Sequence, residues 1–262
     1  MLVKKFFTSF FVFALLVSCF AFGGSNQAFA KNGEDTSQMK ATKVKHIFYD
    51  DKEKAYFDEK EGGYIGEVYT VENGEIVDEL TPDEYIDLLA KQEENEKNLK
   101  KDQSPKVNTD IQALAGSSYW VYKEDSNSDA IFYGGRASII QQNPGPESDE
   151  FQISYSWTEG YEITGSGSIG TEAKYAIQAG VGFTWVSSAT VASTHTMTIP
   201  AGYEGYWRFD PRNNISYGSL YVVDSNSGYM TLMDDNIRAF SPAKMGSQLD
   251  GNLVSIKQRM SQ

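Results

Sequence analysis

Apolar and polar side chains alternate along one long segment of the chain, residues 151–199. Eighteen of its 25 odd-numbered positions are apolar or aromatic, whereas only Ala176, Val186 and Ala192 are apolar among the even-numbered ones. Successive side chains of a β-strand point to opposite faces of a sheet. The pattern therefore predicts extended backbone throughout, with one apolar face and one face rich in Ser, Thr and Gly.

The apolar positions are odd-numbered both before and after every predicted turn. Cross-strand partners in an antiparallel hairpin keep the same parity only when the connecting loop has an odd number of residues. Turns of three or five residues are therefore expected near 165–170 and around Ser187 and Ser188, unless the strands are unusually long. His195 lies on the apolar phase, which favours a packed or interface histidine over a catalytic base.

Residues 31–101 predict a small acidic α+β region. Four segments rich in aromatic and β-branched residues are predicted strands: 46–49, 55–57, 64–70 and 75–80. Asn73-Gly74 separates the last two strands and suits a tight hairpin turn with positive φ. Thr81-Pro82-Asp83-Glu84 has the pattern of a capping box, so one helix is predicted near 82–100.

A change of composition marks the following boundaries. The segment 102–115 is polar and rich in turn-forming residues, which predicts a linker. All five arginines lie after residue 116, whereas the acidic region before it has only lysines as basic residues. We predict an antiparallel β domain over 116–242 and a C-terminal tail over 243–262.

The first thirty residues have the pattern of a secretory signal peptide. Lys4 and Lys5 precede an uncharged apolar run over 6–22, and Ala28-Phe29-Ala30 is a small-residue cleavage pattern. We therefore expect a secreted, extracellular bacterial protein that begins after residue 30. The alternative is a lipid anchor on Cys19, because Leu16-Val17-Ser18-Cys19 resembles a bacterial lipobox.

Charge and reactive side chains exclude several classes of function. The net charge of −13 offers no basic excess to displace counterions from nucleic acid, so no nucleic-acid partner is expected. A single cysteine excludes disulfide frameworks and thiolate metal sites. With two histidines and no nucleophile motif, we expect no enzyme, no catalytic residue, no metal and no cofactor.

Aromatic and basic residues are concentrated after the alternating segment. They form a candidate surface for stacking on sugars or for contact with a membrane interface. The alternative is that they belong to the core of the β domain, since Trp207 and Phe209 continue the buried odd phase. The members of this candidate binding surface are Tyr203, Tyr206, Trp207, Arg208 and Arg212.

The alternating segment resembles a known family over residues 151–202. The stretch from Tyr155 to Pro200 is rich in Ser and Thr, has central glycines and ends in Ile199-Pro200-Ala201-Gly202. In these features it resembles the strands and stem of aerolysin/epsilon-toxin-like secreted β-pore-forming proteins. The resemblance implies an amphipathic hairpin that leaves the soluble fold and lines a pore together with the hairpins of other subunits.

The stem implied by this resemblance is the segment from Tyr161 to Phe183, with its turn near Ser166-Gly167-Ser168. The candidate membrane-inserting side chains are Tyr161, Ile163, Ile169, Tyr175, Ile177, Val181 and Phe183.

The fold class expected from these observations is mainly β. It is an antiparallel sandwich or an elongated aerolysin-like sheet, preceded by the small α+β region. The expected function is that of a secreted non-enzymatic protein at a cell or membrane surface, in its specific form a pore-forming homo-oligomer. The alternative is an adhesive or glycan-binding β-module of the cell envelope.

Overall fold

The structure is a computed structural model that describes residues 38–101 and 118–260. The predicted signal peptide, the lipobox with Cys19 and the predicted linker at 102–115 lie outside the described residues.

The first described range contains five strands and one helix. They are β1 (Lys40–Ala41), β2 (Ile47–Asp50), β3 (Ala55–Asp58), β4 (Gly63–Glu72), β5 (Glu75–Leu80) and α1 (Pro82–Lys101). Asn73 and Gly74 connect β4 to β5 with φ values of 50° and 80°, as the tight turn requires. Glu84 N–H donates to Thr81 Oγ1 at 3.3 Å and Thr81 N–H donates to Glu84 Oε2 at 2.9 Å, so both bonds of the capping box are present.

The second described range contains nine strands and one helix. They are β6 (Ser118–Ile131), β7 (Gly135–Arg136), β8 (Gln141–Asn143), β9 (Asp149–Gly160), β10 (Glu162–Thr164), α2 (Thr171–Gly180), β11 (Ser188–Ile199), β12 (Tyr203–Asp224), β13 (Met230–Pro242) and β14 (Gly251–Arg259). More than half of the described residues lie in strands, and the strand pairs are antiparallel. The predicted fold class, mainly β, is confirmed.

β12 is the longest strand and organises a twelve-stranded sheet. One edge of β12 pairs with β14 over its first half and with β13 over its second half. The other edge pairs with β8, β7 and β6. β4 pairs with β14 and carries β3, β2 and β1 outward, so the strands of the predicted N-terminal region belong to the same sheet as β12.

Residues 251–259, which lie within the predicted C-terminal tail over 243–262, form the strand β14. Leu253, Val254 and Ile256 have no exposed surface, since the strand lies between β4 and β12 and is covered on both faces. A strand covered on both faces has no clear alternation of apolar and polar positions, which is why the sequence pattern did not indicate it.

β9 and β11 form a separate two-stranded sheet that packs on the large sheet. The odd-numbered side chains of both strands face inward, as the alternation predicts. They form the ladder core together with residues of β4, β12 and β14 and with Leu249, which precedes β14. Its members are Val71, Ile153, Tyr155, Ala189, Val191, Met197, Ile199, Trp207, Phe209, Leu249 and Leu253. His195 packs its ring edge-on against Tyr69, with the ring centroids 4.7 Å apart.

The prediction of extended backbone over all of 151–199 is wrong for its middle. Residues 171–180 form α2. No hairpin turn lies at 165–170 or at Ser187 and Ser188, because β9 pairs directly with β11 and residues 161–187 lie between the paired ends of these strands. Ala173 and Ile177 are four positions apart, a spacing that places them on one face of a helix and equally on one face of a strand. The alternation therefore did not distinguish the two conformations in this part of the segment.

A buried ionic cluster connects β3 and α1 to β12. The Arg208 Nη1 donates to Asp58 Oδ2 at 2.6 Å, and Asp210 Oδ1 lies 3.0 Å from Arg208 Nε. All three side chains are 0% exposed. The Tyr85 hydroxyl of α1 donates to the same Asp210. Because every member of the cluster is removed from water, each charge depends on its partners for compensation.

Replacement of Arg208 by Met is expected to lower the free energy of unfolding by about 3–5 kcal/mol, because it leaves two buried carboxylates without a cation. The matched control is Arg212→Met, since this side chain is 32% exposed and lies 4.0 Å from Asp129, and it should cost less than about 1 kcal/mol. Urea unfolding followed by tryptophan fluorescence measures both values. Equal losses in the two variants would contradict a stabilising role for the buried cluster.

Candidate functional site

Residues 161–187 form an insertion between the ends of two paired strands. β9 and β11 are in register from Asp149 opposite Ile199 to Gly160 opposite Ser188, without a bulge. Tyr161 N–H donates to the Ser187 carbonyl at 3.2 Å, which adds one further step to the ladder. The insertion therefore starts where a continuous hairpin is interrupted.

The insertion is folded against the large sheet. Its first part, β10, pairs with β13, placing Glu162 opposite Phe240 and Ile163 opposite Ala239. The helix α2 then packs its buried face on strands β6, β12 and β13. This α2 core consists of Ala173, Ile177, Tyr122, Leu220, Ile237 and Ala239.

The candidate membrane-inserting side chains do not share one face in this structure. Ile177 is fully buried, whereas Tyr175 on the same helix is 66% exposed. Ile163, Ile169 and Val181 are half-buried against the α2 core. The structure thus brings four of the seven side chains together in one cluster.

Two of the three aromatic members of the set, Tyr161 and Phe183, lie near the end of the β9–β11 ladder. Tyr161, 39% exposed, meets Trp185 edge-on with the ring centroids 5.3 Å apart. Phe183 is stacked with the same Trp185 ring, with the ring centroids 6.5 Å apart. The Trp185 indole was not among the candidates, although it belongs to the same odd phase.

Asp234 of β13 holds the entry to α2. Its Oδ2 accepts from Ser166 N–H at 2.7 Å and its Oδ1 accepts from the Ser166 hydroxyl at 3.0 Å. The chain must approach closely here, because a Cβ on Gly165 would lie 2.7 Å from Asp234 Oδ2 and 2.9 Å from Ile237 Cδ1. Glycine at 165 therefore permits this contact.

Glu124 of β6 holds the exit from α2. It accepts from Gly182 N–H at 3.1 Å, from the Ser216 hydroxyl at 2.6 Å and from Asn127 Nδ2 at 2.9 Å. Burial alone would raise the pKa of Glu124, but these three hydrogen bonds outweigh burial and keep the pKa below its usual value. The carboxylate is therefore ionised at neutral pH. We call Asp234 and Glu124 the two carboxylate clasps.

The outer face of β9 and β11 is polar and exposed. The Ser154 and Thr194 hydroxyls are hydrogen-bonded at 2.8 Å, as are those of Thr158 and Thr190. Both strands are edge strands of a two-stranded sheet, with an isolated bridge from Ser138 to Tyr155 on the β9 side. Unpaired backbone groups on such edges can accept a further strand.

The candidate binding surface is largely buried, which corrects the prediction for its central members. Trp207 and Arg208 are 0% exposed and Tyr206 is 4% exposed, because β12 has neighbours on both edges and is covered on both faces. Tyr203 and Arg212 are half-buried, and the Tyr203 hydroxyl donates to Glu53 at 3.4 Å. The structure therefore does not present these aromatic rings together to a ligand.

Residues 38–101 and 118–260 lack two kinds of candidate feature. These ranges contain no group of three or more His, Cys, Asp or Glu side chains arranged to hold a metal ion. None of their helices is both long enough and apolar enough to cross a membrane.

No protein-family model matches the chain, and no curated protein matches it. Among solved structures, it is similar to the parasporin-2 toxin of Bacillus thuringiensis that recognizes cancer cells, at 11% identity with 77% of this chain and 86% of that chain covered and a TM-score of 0.20. It is also similar to the Cry23Aa1 and Cry37Aa1 binary protein complex, at 11% identity with 64% and 85% covered and a TM-score of 0.16. Both likenesses are weak, and neither carries an argument about function.

Removal of the two carboxylate clasps should loosen the insertion without unfolding the sheet. The double variant Asp234→Asn, Glu124→Gln is expected to raise amide exchange over 166–182 by about tenfold or more, since hydrogen bonds to charged groups contribute about 1.5–3 kcal/mol each. Hydrogen–deuterium exchange measured by mass spectrometry tests this.

The control is Asp224→Asn, since Asp224 likewise accepts from backbone N–H groups, of Asn226 and Ser227, but in a turn outside the insertion. Unchanged exchange over 166–182 in the double variant would show that the clasps do not hold the insertion.

Proposed function

We propose that this chain is a secreted, non-enzymatic protein that inserts residues 161–187 into a membrane. In the inserted state the two ends of the insertion continue β9 and β11 as one long hairpin. Several copies supply one hairpin each, and the hairpins together line a pore. The observation that carries this proposal is the unbroken register of β9 and β11, which already extends to Tyr161 and Ser187.

Continuation of this register sorts the side chains by polarity. It pairs odd positions only with odd positions, beginning with residue 163 opposite 185 and 165 opposite 183. The odd face then carries apolar side chains separated by glycines and two hydroxyl residues: Tyr161, Ile163, Ile169, Ile177, Ala179, Val181, Phe183 and Trp185. Among the even-numbered positions of 161–171 and 177–187, every residue except Val186 is polar or glycine. One face thus suits lipid and the other suits water.

The same register fixes the length of the hairpin and the place of its turn. Thr171 lies opposite Ile177, so residues 172–176 form a five-residue loop instead of the turn expected near Ser166-Gly167-Ser168. The legs 161–171 and 177–187 each have about the 9–11 residues that a tilted strand needs to cross a bilayer. The loop contains Glu172 and Lys174, whose charges would lie beyond the lipid on the far side.

The folded-back state explains how such a hairpin stays in water. Ile177 and Ala173 are buried within the α2 core, and the backbone of β10 is paired with β13. Release from this state exposes apolar side chains, which is unfavourable in water and favourable beside lipid. In the proposed hairpin the outer edge of each inserted strand pairs with the hairpin of a neighbouring copy, so the copies satisfy one another's backbone groups.

A disulfide between β10 and β13 should block the proposed activity reversibly. Ile163 and Ala239 are cross-strand partners, so cysteines at both positions can link the insertion to the sheet. The chain expressed from residue 31 has no other cysteine. Dye release from phosphatidylcholine vesicles should fall to background in the oxidised variant and return to the wild-type rate after reduction.

The control variant carries cysteines at Thr158 and Thr190, which are partners in the β9–β11 ladder. This link joins two strands that stay paired in both states, so its oxidised form should retain full dye release. Equal release from the reduced and oxidised 163/239 variant, or no release from the unmodified chain, would contradict the proposed function.

A further inference from the structure

A cavity of about 390 Å³ lies at the base of the insertion. It is surrounded by the end of β9, by β10, by the β6–β7 connection, by the middle of β12 and by the end of β13. Its aromatic lining consists of Phe132, Tyr133, Trp157 and Phe240. The volume is in the range of small-molecule sites, and predominantly aromatic walls with a few polar groups are typical of such sites.

The polar lining of the cavity is rich in hydrogen-bond acceptors. Glu159 and Glu162 both line it, and no Lys, Arg or His is among its described lining residues. The Trp157 Nε1–H already donates to Glu159 Oε2 at 2.9 Å, and the Tyr133 hydroxyl donates to Asp58 at 2.8 Å and to Glu61 at 3.0 Å. Neither aromatic donor is therefore left to satisfy an anionic or acceptor-rich ligand.

A buried amide in the same wall has an unused acceptor. Asn213 lines the cavity, is 4% exposed, and its Oδ1 has no hydrogen-bond partner among the described residues. Buried amide oxygens in native structures are nearly always paired, so an orphaned one beside a cavity indicates a missing donor. Burial raises the pKa of Glu159, and the nearby charge of Glu162 raises it further. The two carboxylates therefore lack a compensating positive charge among the described residues of the cavity wall.

We propose that this cavity binds a small protonated amine with an apolar body. The ammonium N–H groups donate to Glu159 and Glu162, and the aromatic walls attract the cation through their ring faces while they cover the apolar part. A neutral ligand of the same shape lacks the charge that the two carboxylates require. An anion would be repelled by both of them.

Amine binding also stabilises the folded-back insertion, a consequence that rests on the proposed function. Glu162 reaches the cavity because β10 is paired with β13, where Glu162 lies opposite Phe240. When β10 leaves β13, one carboxylate and the contact with the Phe240 wall are lost. A ligand that binds only the folded-back state shifts the equilibrium toward that state by mass action.

Isothermal titration calorimetry with cyclohexylamine as the probe tests the site. Cyclohexanol is the neutral isostere, and tetramethylammonium is a cation without N–H donors. We expect cyclohexylamine to bind at least tenfold more tightly than either. Comparable binding of cyclohexanol, or of a methyl glycoside, would overturn the assignment of an amine.

Two variants localise the binding. Glu162→Gln removes one carboxylate of an exposed side chain and should weaken cyclohexylamine binding at least tenfold, whereas Glu150→Gln, an exposed control on β9, should leave it unchanged. Trp157→Phe keeps an aromatic wall but frees Glu159 from its indole donor, and it should change the affinity without abolishing it. Equal affinities in wild-type protein and Glu162→Gln would overturn the site.

Hydrogen–deuterium exchange of the β10 amides measures the coupling without any membrane. Saturating cyclohexylamine should slow their exchange in wild-type protein and have no effect in Glu162→Gln. Unchanged exchange in the saturated wild type would overturn the coupling. If cyclohexylamine binds and slows exchange but vesicles never leak, the amine site stands and the proposed function fails by itself.

Discussion

The register between β9 and β11 is the constraint on which the account of this protein depends. Twelve consecutive pairs connect the two strands without a bulge, and their odd-numbered side chains form one wall of the ladder core. A shift by one residue would turn Val191, Met197 and Ile199 from full burial to solvent, so packing fixes the pairing. The register of any continuation beyond Gly160 and Ser188 is fixed by the same packing.

The insertion satisfies two different packing requirements with one set of side chains. In the folded-back state Ala173 and Ile177 cover the sheet from a helix, where a spacing of four places them together. In the proposed hairpin the odd parity places Ile177 and the other apolar side chains of 161–171 and 177–187 on one strand face, whereas Ala173 lies in the loop. The two carboxylate clasps add polar contacts that exist only in the folded-back state, at Ser166 and Gly182.

Local chemistry could be predicted from the sequence, and long-range partners could not. The Asn73-Gly74 turn and the Thr81 cap depend on neighbouring residues, and both lie where the pattern places them. The inward phase of β9 and β11 also followed from alternation alone. These features require no knowledge of distant contacts.

The errors occurred where tertiary contacts decide the conformation. α2 satisfies the alternation of a strand, and only its docking on β6 and β13 selects the helix. β14 is covered on both faces, which removes the alternation that would indicate a strand. The sequence places Arg208 on a candidate binding surface because it lies among aromatic residues, yet Asp58 and Asp210 compensate its charge in the interior.

A scan of single cysteines through 161–187, each labelled with an environment-sensitive fluorophore, shows whether this segment enters a membrane as a continuation of the β9–β11 ladder. After addition of phosphatidylcholine vesicles, the account predicts emission that alternates along each leg, with odd positions in lipid and even positions in water. Odd-numbered positions should face lipid both before and after the loop 172–176. A period of 3.6 residues over 171–180, or spectra unchanged by vesicles, would contradict the extension of the β9–β11 ladder into the membrane.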